Sequence, residues 1–435
     1  MPRIILTTVG TLGDLHPFIA IALALQKRGF TPVLAVAEDQ VAKCRGAGLE
    51  TVAILPGFAQ TRQRMGLSHE EAVRRIMSNQ RVMLEQVLLP DLAACTTALD
   101  AAVTDAVAIV ASIFVIAAPI VAEKRGIPLV SVILQPMAML SPYDAPRTPD
   151  FWMMLPAPVG RIGAAWNRRV YATMRRLLDR VYGRRIDRVR LAHGLQPAGA
   201  ANLLDPPEDA VLRLGCYSTR LGAMPPDAPA TTRIVGFPMF DSDSGQAETL
   251  DPALEAFLAA GPPPLVFTLG TFAVGGAGSF YARAADVARG TGLRAILLVG
   301  GTGPHSVEGD ILTCAYAPHS LLFPRTAAIV HHGGVGTTGQ ALKAGKPQLI
   351  VPHMGDQNDH AYRIVRMGAG LRVARRRFTV ARATRRIRAL LNDPAYRSTA
   401  ERVARSMVGE DGAHAAADAI VQALGLPTTL CPDAR

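Results

Sequence analysis

From Ala327 to Gly345 the chain reads AAIVHHGGVGTTGQALKAG, and this stretch constrains the fold more than any other. An apolar run ending at Val330 meets His331 and His332, then glycines at 333, 334 and 336, then Thr337 and Thr338, then a helical pattern. That order is a strand, a glycine turn and a helix start, the junction from which parallel α/β sheets are built. Such a turn brings backbone N–H groups to the positive end of a helix, where glycines allow close approach and threonine hydroxyls add donors. A phosphate or diphosphate is the natural guest. The turn lacks the Gly-Lys-Ser/Thr ending of a Walker loop and does not follow the GxGxxG dinucleotide pattern.

The same alternation recurs on both sides of the turn. Strand patterns at Arg3–Val9, Val33–Ala37, Thr51–Leu55, Ala106–Ala111, Val130–Leu134 and Val211–Leu214 alternate with helical ones such as Leu15–Arg28 and the long His69–Leu99 run, broken near Pro90. Val211–Leu214 reads as the last strand of this series. A second series follows the Pro- and Ala-rich Gly222–Pro229 linker, with strands at Pro264–Thr268, Ala295–Val299, Ile311–Tyr316, Ala327–His331 and Gln348–Val351. Two doubly wound domains facing across a cleft are expected, spanning 1–230 and 231–410, with a helix and tail at 411–435 that could return to the first domain.

At 435 residues, 49% hydrophobic and 19% charged, the chain can bury two cores. Its five cysteines (44, 95, 216, 314 and 431) have no CxxC spacing, so neither a zinc site nor a disulfide framework is expected, and a reducing cytosol fits. The N-terminal apolar run is too short for a secretion signal. Ala106–Ala122, uncharged over 17 residues, reads as a buried strand and a helix running to about Arg125 rather than a membrane span.

The net charge of +11 owes much to arginine, with ten arginines against two aspartates between Arg161 and Arg190. Around them lie Phe151, Trp152 and Trp166. One account of 151–193 is a solvated helix that buries Leu177, Leu178, Val181 and Ile186. The other is a helix lying on an anionic membrane. No nucleic-acid motif accompanies the charge.

In open parallel sheets, ligands bind beyond the carboxyl ends of strands. Three such loops carry chemistry. Gly10–Pro17 holds Asp14 and His16, Leu269–Phe272 offers a glycine and Thr271, and the glycine turn is followed by Pro352–Asp359 with Asp356 and Gln357.

YAPHSLLFPRTAAIVHHGGVGTTGQALKAGKPQLIVPHMGDQ resembles the nucleotide-sugar box of the inverting GT-B glycosyltransferases, the UDP-glycosyltransferase family that includes plant, sterol, macrolide and rhamnolipid enzymes. GTLGDLHPFIAIALALQKRGF is similar to the N-terminal loop and helix of the family's bacterial branch. The resemblance implies a cytoplasmic hexosyltransferase with two Rossmann-like domains. It would move a sugar from a UDP- or dTDP-linked donor to a hydroxyl of a hydrophobic small molecule or lipid, with inversion and without a metal or other cofactor. It further implies that Thr271, His332, Gly334, Gly336 and Thr337 hold the diphosphate, Tyr316 and Gln340 the base and ribose, and Asp356 and Gln357 the sugar. Tyr316 stands where the family usually has tryptophan, and Gln340 where many members have glutamate.

Asp14 matches the position of the catalytic base, with His16 as the competing residue. The aspartate that orients the histidine of plant members is replaced by Ser112, so a His–Asp dyad is not expected. Asp14 could also serve as a helix cap, and His331 could simply end its strand. A nucleotide-sugar epimerase on the same fold and a non-catalytic partner subunit are the alternatives.

Overall fold

A computed structural model describes residues 1–242, 248–301, 303 and 305–427. Cys431 and the end of the 411–435 tail lie outside the described residues. The chain forms two compact units, one comprising Met1–Ser68, Asn79–Phe240 and the stretch from Asp411, the other His69–Ser78 and Asp241–Glu410.

The first unit is built on seven strands: β1 (Arg3–Thr7), β2 (Thr31–Ala37), β3 (Glu50–Leu55), β4 (Ala106–Ser112), β5 (Leu129–Ile133), β6 (Leu212–Gly215) and β7 (Thr232–Ile234). All pair in parallel in the order β3-β2-β1-β4-β5-β6-β7, so the order reverses between β1 and β4. Ile5, Val33 and Ile109 of the sheet pack with Leu99, Val121 and Ile186 from the helices that cover it. Full burial of each such side chain is worth about 1.5–3 kcal/mol.

The second unit repeats the plan with β8 (Leu265–Thr268), β9 (Ala295–Leu298), β10 (Ser306–Glu308), β11 (Ile311–Cys314), β12 (Ala328–His331), β13 (Gln348–Ile350) and β14 (Gly370–Arg372). Their order is β10-β11-β9-β8-β12-β13-β14, parallel except for the β10–β11 pair, and the reversal falls between β8 and β12. Both units are therefore doubly wound α/β sheets of Rossmann type.

Several sequence expectations need correction. β7 follows Val211–Leu214, which is therefore not the last strand of its sheet, and no strand pattern marks β10 or β14 in the sequence. The first helix runs Leu12–Gln26, three residues earlier than its periodicity suggests, with Pro17 inside it. The His69–Leu99 run is several helices, interrupted first after Ser78, where the Asn79 side chain accepts from the N–H of Arg81 (2.9 Å). Arg161–Ala192 is one helix of 32 residues. It buries Ile186, but Leu177 and Val181 stand 54% and 52% exposed because the buried face runs through Asn167, Tyr171, Tyr182 and Val189 instead.

Ala106–Ser112 and Ala117–Arg125 are strand and helix, as read. Among the described residues no helix is long and apolar enough to cross a membrane. The Gly412–Ala423 helix lies within the first unit, against the Leu12–Gln26 helix, where Arg28 Nε donates to Asp418 (2.7 Å). A Cβ on Gly412 would stand 2.4 Å from the Phe237 carbonyl carbon, so only glycine lets the backbones approach this closely.

Candidate active site

β12 is wholly buried and ends at His331, whose ring serves the fold. His331 Nδ1 accepts from the N–H of Gly333 (3.1 Å), which leaves Nε2 to donate to Gln348 Oε1 (2.9 Å). Burial pushes this imidazole down to about 4, so it is neutral near pH 7.

Gly333 then takes φ +93°, and a Cβ there would lie 2.8 Å from Ile350 Cγ2 and 3.1 Å from the Gln357 carbonyl oxygen. Its own carbonyl accepts from His360 Nδ1 (2.8 Å), which pins the turn from the Gln357–Met367 helix. Gly334 is the N-cap of the Val335–Lys343 helix and supplies no side-chain cap. The first-turn N–H groups of that helix are consequently available to a ligand.

His332 lies across this turn. A Cβ on Gly334 would be 2.4 Å from its Nε2, and one on Gly270 would be 2.7 Å from its Cε1. Gly270, at φ +65°, begins the short Gly270–Ala273 helix after β8, so the two loops flanking the sheet's reversal meet over the His332 ring. The ring is 8% exposed, and its Nδ1 has no hydrogen-bond partner among the described residues. Burial, reinforced by His331, His353, His319 and His360, holds the imidazole well below the usual histidine range. A buried nitrogen without a partner among the described residues thus lies beside a helix start that no side chain caps, a pairing that can serve as hydrogen-bond donors to an anion.

Thr337, at N3 of the helix, is 8% exposed, and Thr338 is fully buried with its Oγ1 unpartnered among the described residues. No atom lies within 4 Å of a Cβ built on Gly336, so packing does not demand glycine there. Gln340 is buried on the same helix, and Thr271 is exposed on the short helix after β8. Tyr316 follows β11, with its hydroxyl 3.4 Å from Asp241 Oδ1, while Asp241 Oδ2 accepts from the N–H of Ser320 (2.5 Å).

After β13, Gln357 Oε1 accepts from the N–H groups of His353 (2.8 Å) and Met354 (3.1 Å), so its carbonyl shapes the loop. Burial raises the carboxyl of the neighbouring Asp356 above the usual range, against the pull of His360. His360, His353 and Gln348 were not singled out in the sequence. The one available signal was the four-residue spacing that puts Asp356 and His360 on one helix face.

In the first unit, Asp14 is not the N-cap of its helix. Thr11 caps it, with Oγ1 accepting from the N–H of Gly13 (3.2 Å), and Asp14 is the reciprocal N3 partner. Asp14 Oδ2 accepts from Thr11 N (2.8 Å) and Thr11 Oγ1 (3.2 Å). Gly10 at φ +126° makes room, since a Cβ there would collide with that carboxylate oxygen at 2.2 Å. His16 packs edge-on against Phe240, with centroids 5.4 Å apart. Ser112 is buried at the end of β4, where its Oγ accepts from the N–H of Phe114 (3.4 Å). Among the described residues, no group of three or more His, Cys, Asp or Glu side chains could hold a metal ion.

Residues 4–138 match the glycosyltransferase family 28 N-terminal domain, and residues 301–422 match the erythromycin biosynthesis protein CIII-like C-terminal domain. The chain is 29% identical over 432 residues to O-mycaminosyltylonolide 6-deoxyallosyltransferase of Streptomyces fradiae, covering 94% of each protein. Its fold is similar to that of the glycotransferase of kitacinnamycin (TM-score 0.72, 19% identity, 98% of this chain and 100% of that one). It is also similar to the glycosyltransferase VinC in complex with dTDP (TM-score 0.69, 19% identity, 97% and 99%). With the glycosyltransferase family 28 domain matched in its first half, a transferase relative aligned almost end to end and the GT-B fold in common, the chain is a glycosyltransferase of the GT-B fold, similar to bacterial members of the UDP-glycosyltransferase family.

Proposed function

We propose that this glycosyltransferase moves a sugar from a UDP- or dTDP-linked donor to a hydroxyl of a hydrophobic small-molecule or lipid acceptor, inverting the anomeric carbon. The observation that carries the donor half is the His332 imidazole, buried with an Nδ1 unpartnered among the described residues, beside the uncapped start of the Val335–Lys343 helix. Departure of a nucleoside diphosphate builds negative charge on its oxygens. The helix N–H groups of the turn at Gly334 and Gly336, the Thr337 and Thr271 hydroxyls and an N–H of His332 would stabilise that charge. Tyr316 and Gln340 would face the base and ribose. With its carbonyl held by the loop, Gln357 would offer its amide N–H groups to sugar hydroxyls, and Asp356 would accept from them.

For the acceptor half, Asp14 would take the proton as the hydroxyl attacks, with His16 as the competing base. The capping box fixes the Asp14 side chain at the helix start, a preorganisation that suits the role. Thymidine diphosphate is the first probe to use, since VinC was solved with dTDP. The acceptor class follows the name of the Streptomyces relative, which acts on O-mycaminosyltylonolide. Neither an epimerase nor a silent partner draws support from relatives named as transferases. Incubation with dTDP- and UDP-sugars and a panel of hydroxylated acceptors, with the product's anomeric configuration read by NMR, tests the proposal. Retention of configuration, or epimerised donor without transfer, would refute it.

The Arg161–Ala192 helix supports contact with an anionic membrane surface at the cytoplasmic face. At 100° per residue, its exposed Ile162, Trp166, Leu177, Val181 and Leu191 fall within a sector of about 100°, interleaved with Arg169, Arg180 and Arg184. Flotation with phosphatidylserine vesicles at low salt should carry the protein. Its remaining with the soluble fraction would remove this element.

A further inference from the structure

A cavity of about 360 Å³ opens in the second unit where the loops after β13 and β14 meet the segment that leads into the Phe280–Thr291 helix. Its lining includes Arg283, Arg375 and Arg376, together with Ser279, His353 and Phe280. Among the described residues, no carboxylate pairs with any of the three arginines. Two are held by backbone carbonyls instead: Arg283 Nη1 donates to Phe378 O (3.0 Å) and Arg375 Nη2 to Gly276 O (3.2 Å). One wall is aromatic, with Phe280 stacked on Phe378 at 4.9 Å and edge-on to His353 at 6.1 Å. Burial and the neighbouring Arg74 both work against the charge on Arg375, so the native fold holds a cation there without its counter-charge.

Planar guanidinium groups match carboxylate and phosphate oxygens two at a time. His353 adds a second requirement. Its Nδ1 donates to Val351 O (2.7 Å), which leaves Nε2 as an acceptor for a hydroxyl. The His353 N–H also donates to Gln357 Oε1, so the cavity adjoins the residue placed above at the sugar hydroxyls.

We infer that this cavity is a binding site for a hydroxylated anion, a sugar acid or sugar phosphate, with Arg283 and Arg375 engaging the carboxylate or phosphate and His353 accepting from a hydroxyl. The anion can come from two sources: an acidic sugar within a nucleotide-linked donor, or a free sugar acid or phosphate bound beside the donor. Only the first source rests on the donor reading above.

Calorimetry on the full chain at constant ionic strength, with the native protein, Arg283→Gln and Arg375→Gln, tests the site. Glucose 6-phosphate and glucuronate are the free probes, and UDP-glucuronate is compared with UDP-glucose as the linked pair. A linked source predicts that the native chain prefers UDP-glucuronate and that each variant reduces the preference by about ten-fold. A free source predicts that a free probe binds with nucleoside diphosphate present and weakens by about ten-fold in each variant. Unchanged affinity for the nucleoside diphosphate shows that the variants are folded, and if that ligand never binds, a thermal unfolding midpoint matching the native chain does so. The site is refuted if no acidic probe binds better than its neutral counterpart, or if both variants bind the probes as the native chain does. Glucose 6-phosphate binding without any nucleoside diphosphate binding would sink the donor reading and leave this site standing.

Discussion

Each unit sends a helix out from a strand at the reversal of its sheet, and the two helix starts are finished in opposite ways. After β1, Thr11 and Asp14 close the Leu12–Gln26 helix with a reciprocal capping box. After β12, the cap position of the Val335–Lys343 helix is Gly334, which has no side chain to offer. Topology and dipole are shared, so the residue at the cap decides the outcome. A capped start satisfies itself, whereas the uncapped one, with a His332 Nδ1 that has no partner among the described residues beside it, suits the proposed anion.

Substitutions at either helix start should separate the two cases. The largest effect is expected from Asp14→Asn, because amide oxygen can still accept from Thr11 N while a proton acceptor is lost. Turnover should fall by about 10²–10⁴-fold, with the thermal midpoint and nucleotide affinity near native. Unchanged turnover would hand the base role to His16 or another group.

Gly334→Asp should come next, since it makes the second helix start resemble the first. The new side chain meets the His332 ring and brings a negative charge to the diphosphate position. Nucleoside diphosphate affinity should drop by about 100-fold, and a calorimetric value near native would mean that the open turn is not the anion site.

Acid should then separate the two units. His331 and His353 are each depressed from an ordinary value near 6.5 to about 4, and burial holds His332 well below that ordinary value too, all in the second unit. A histidine whose folded-state value is depressed binds its proton more readily when unfolded. Its neutral form therefore supports the fold above about pH 6.5, and that support is lost as pH falls toward 4. Each such ring gives up to about 1.4 kcal/mol per pH unit crossed within that window. Hydrogen exchange between pH 7 and 5 should show protection falling first around β12 and β13. Equal loss in both sheets would contradict the assignment.

The smallest effect is expected from Thr11→Ala. It should destabilise the first unit by about 1 kcal/mol in denaturant melts and leave nucleotide affinity unchanged. A loss of nucleotide affinity would show that the two helix starts are coupled.

Legibility in the sequence followed the same divide. The turn after β12 announces itself because His331, His332 and three glycines crowd a strand end, and no bland segment needs that composition. The capping box was harder to see. Aspartate stands where glutamate or glutamine is usual, and Pro17 inside the helix hid its true start at Leu12. β7, β10 and β14 span three residues each, too few for any periodicity, and take their place from neighbouring strands. The roles of His353 and His360 arise where separate loops meet. Arg283 and Arg375 stand 92 positions apart in the chain, and only the fold brings them to one cavity.

In the proposed reading, the open turn holds the donor's diphosphate through His332. Calorimetric titration of thymidine diphosphate and UDP into the native chain and His332→Ala tests it most directly. At least one nucleotide should bind the native chain and weaken by about ten-fold or more in the variant, whose thermal midpoint should stay within a few degrees. Equal affinity in the two proteins would contradict it.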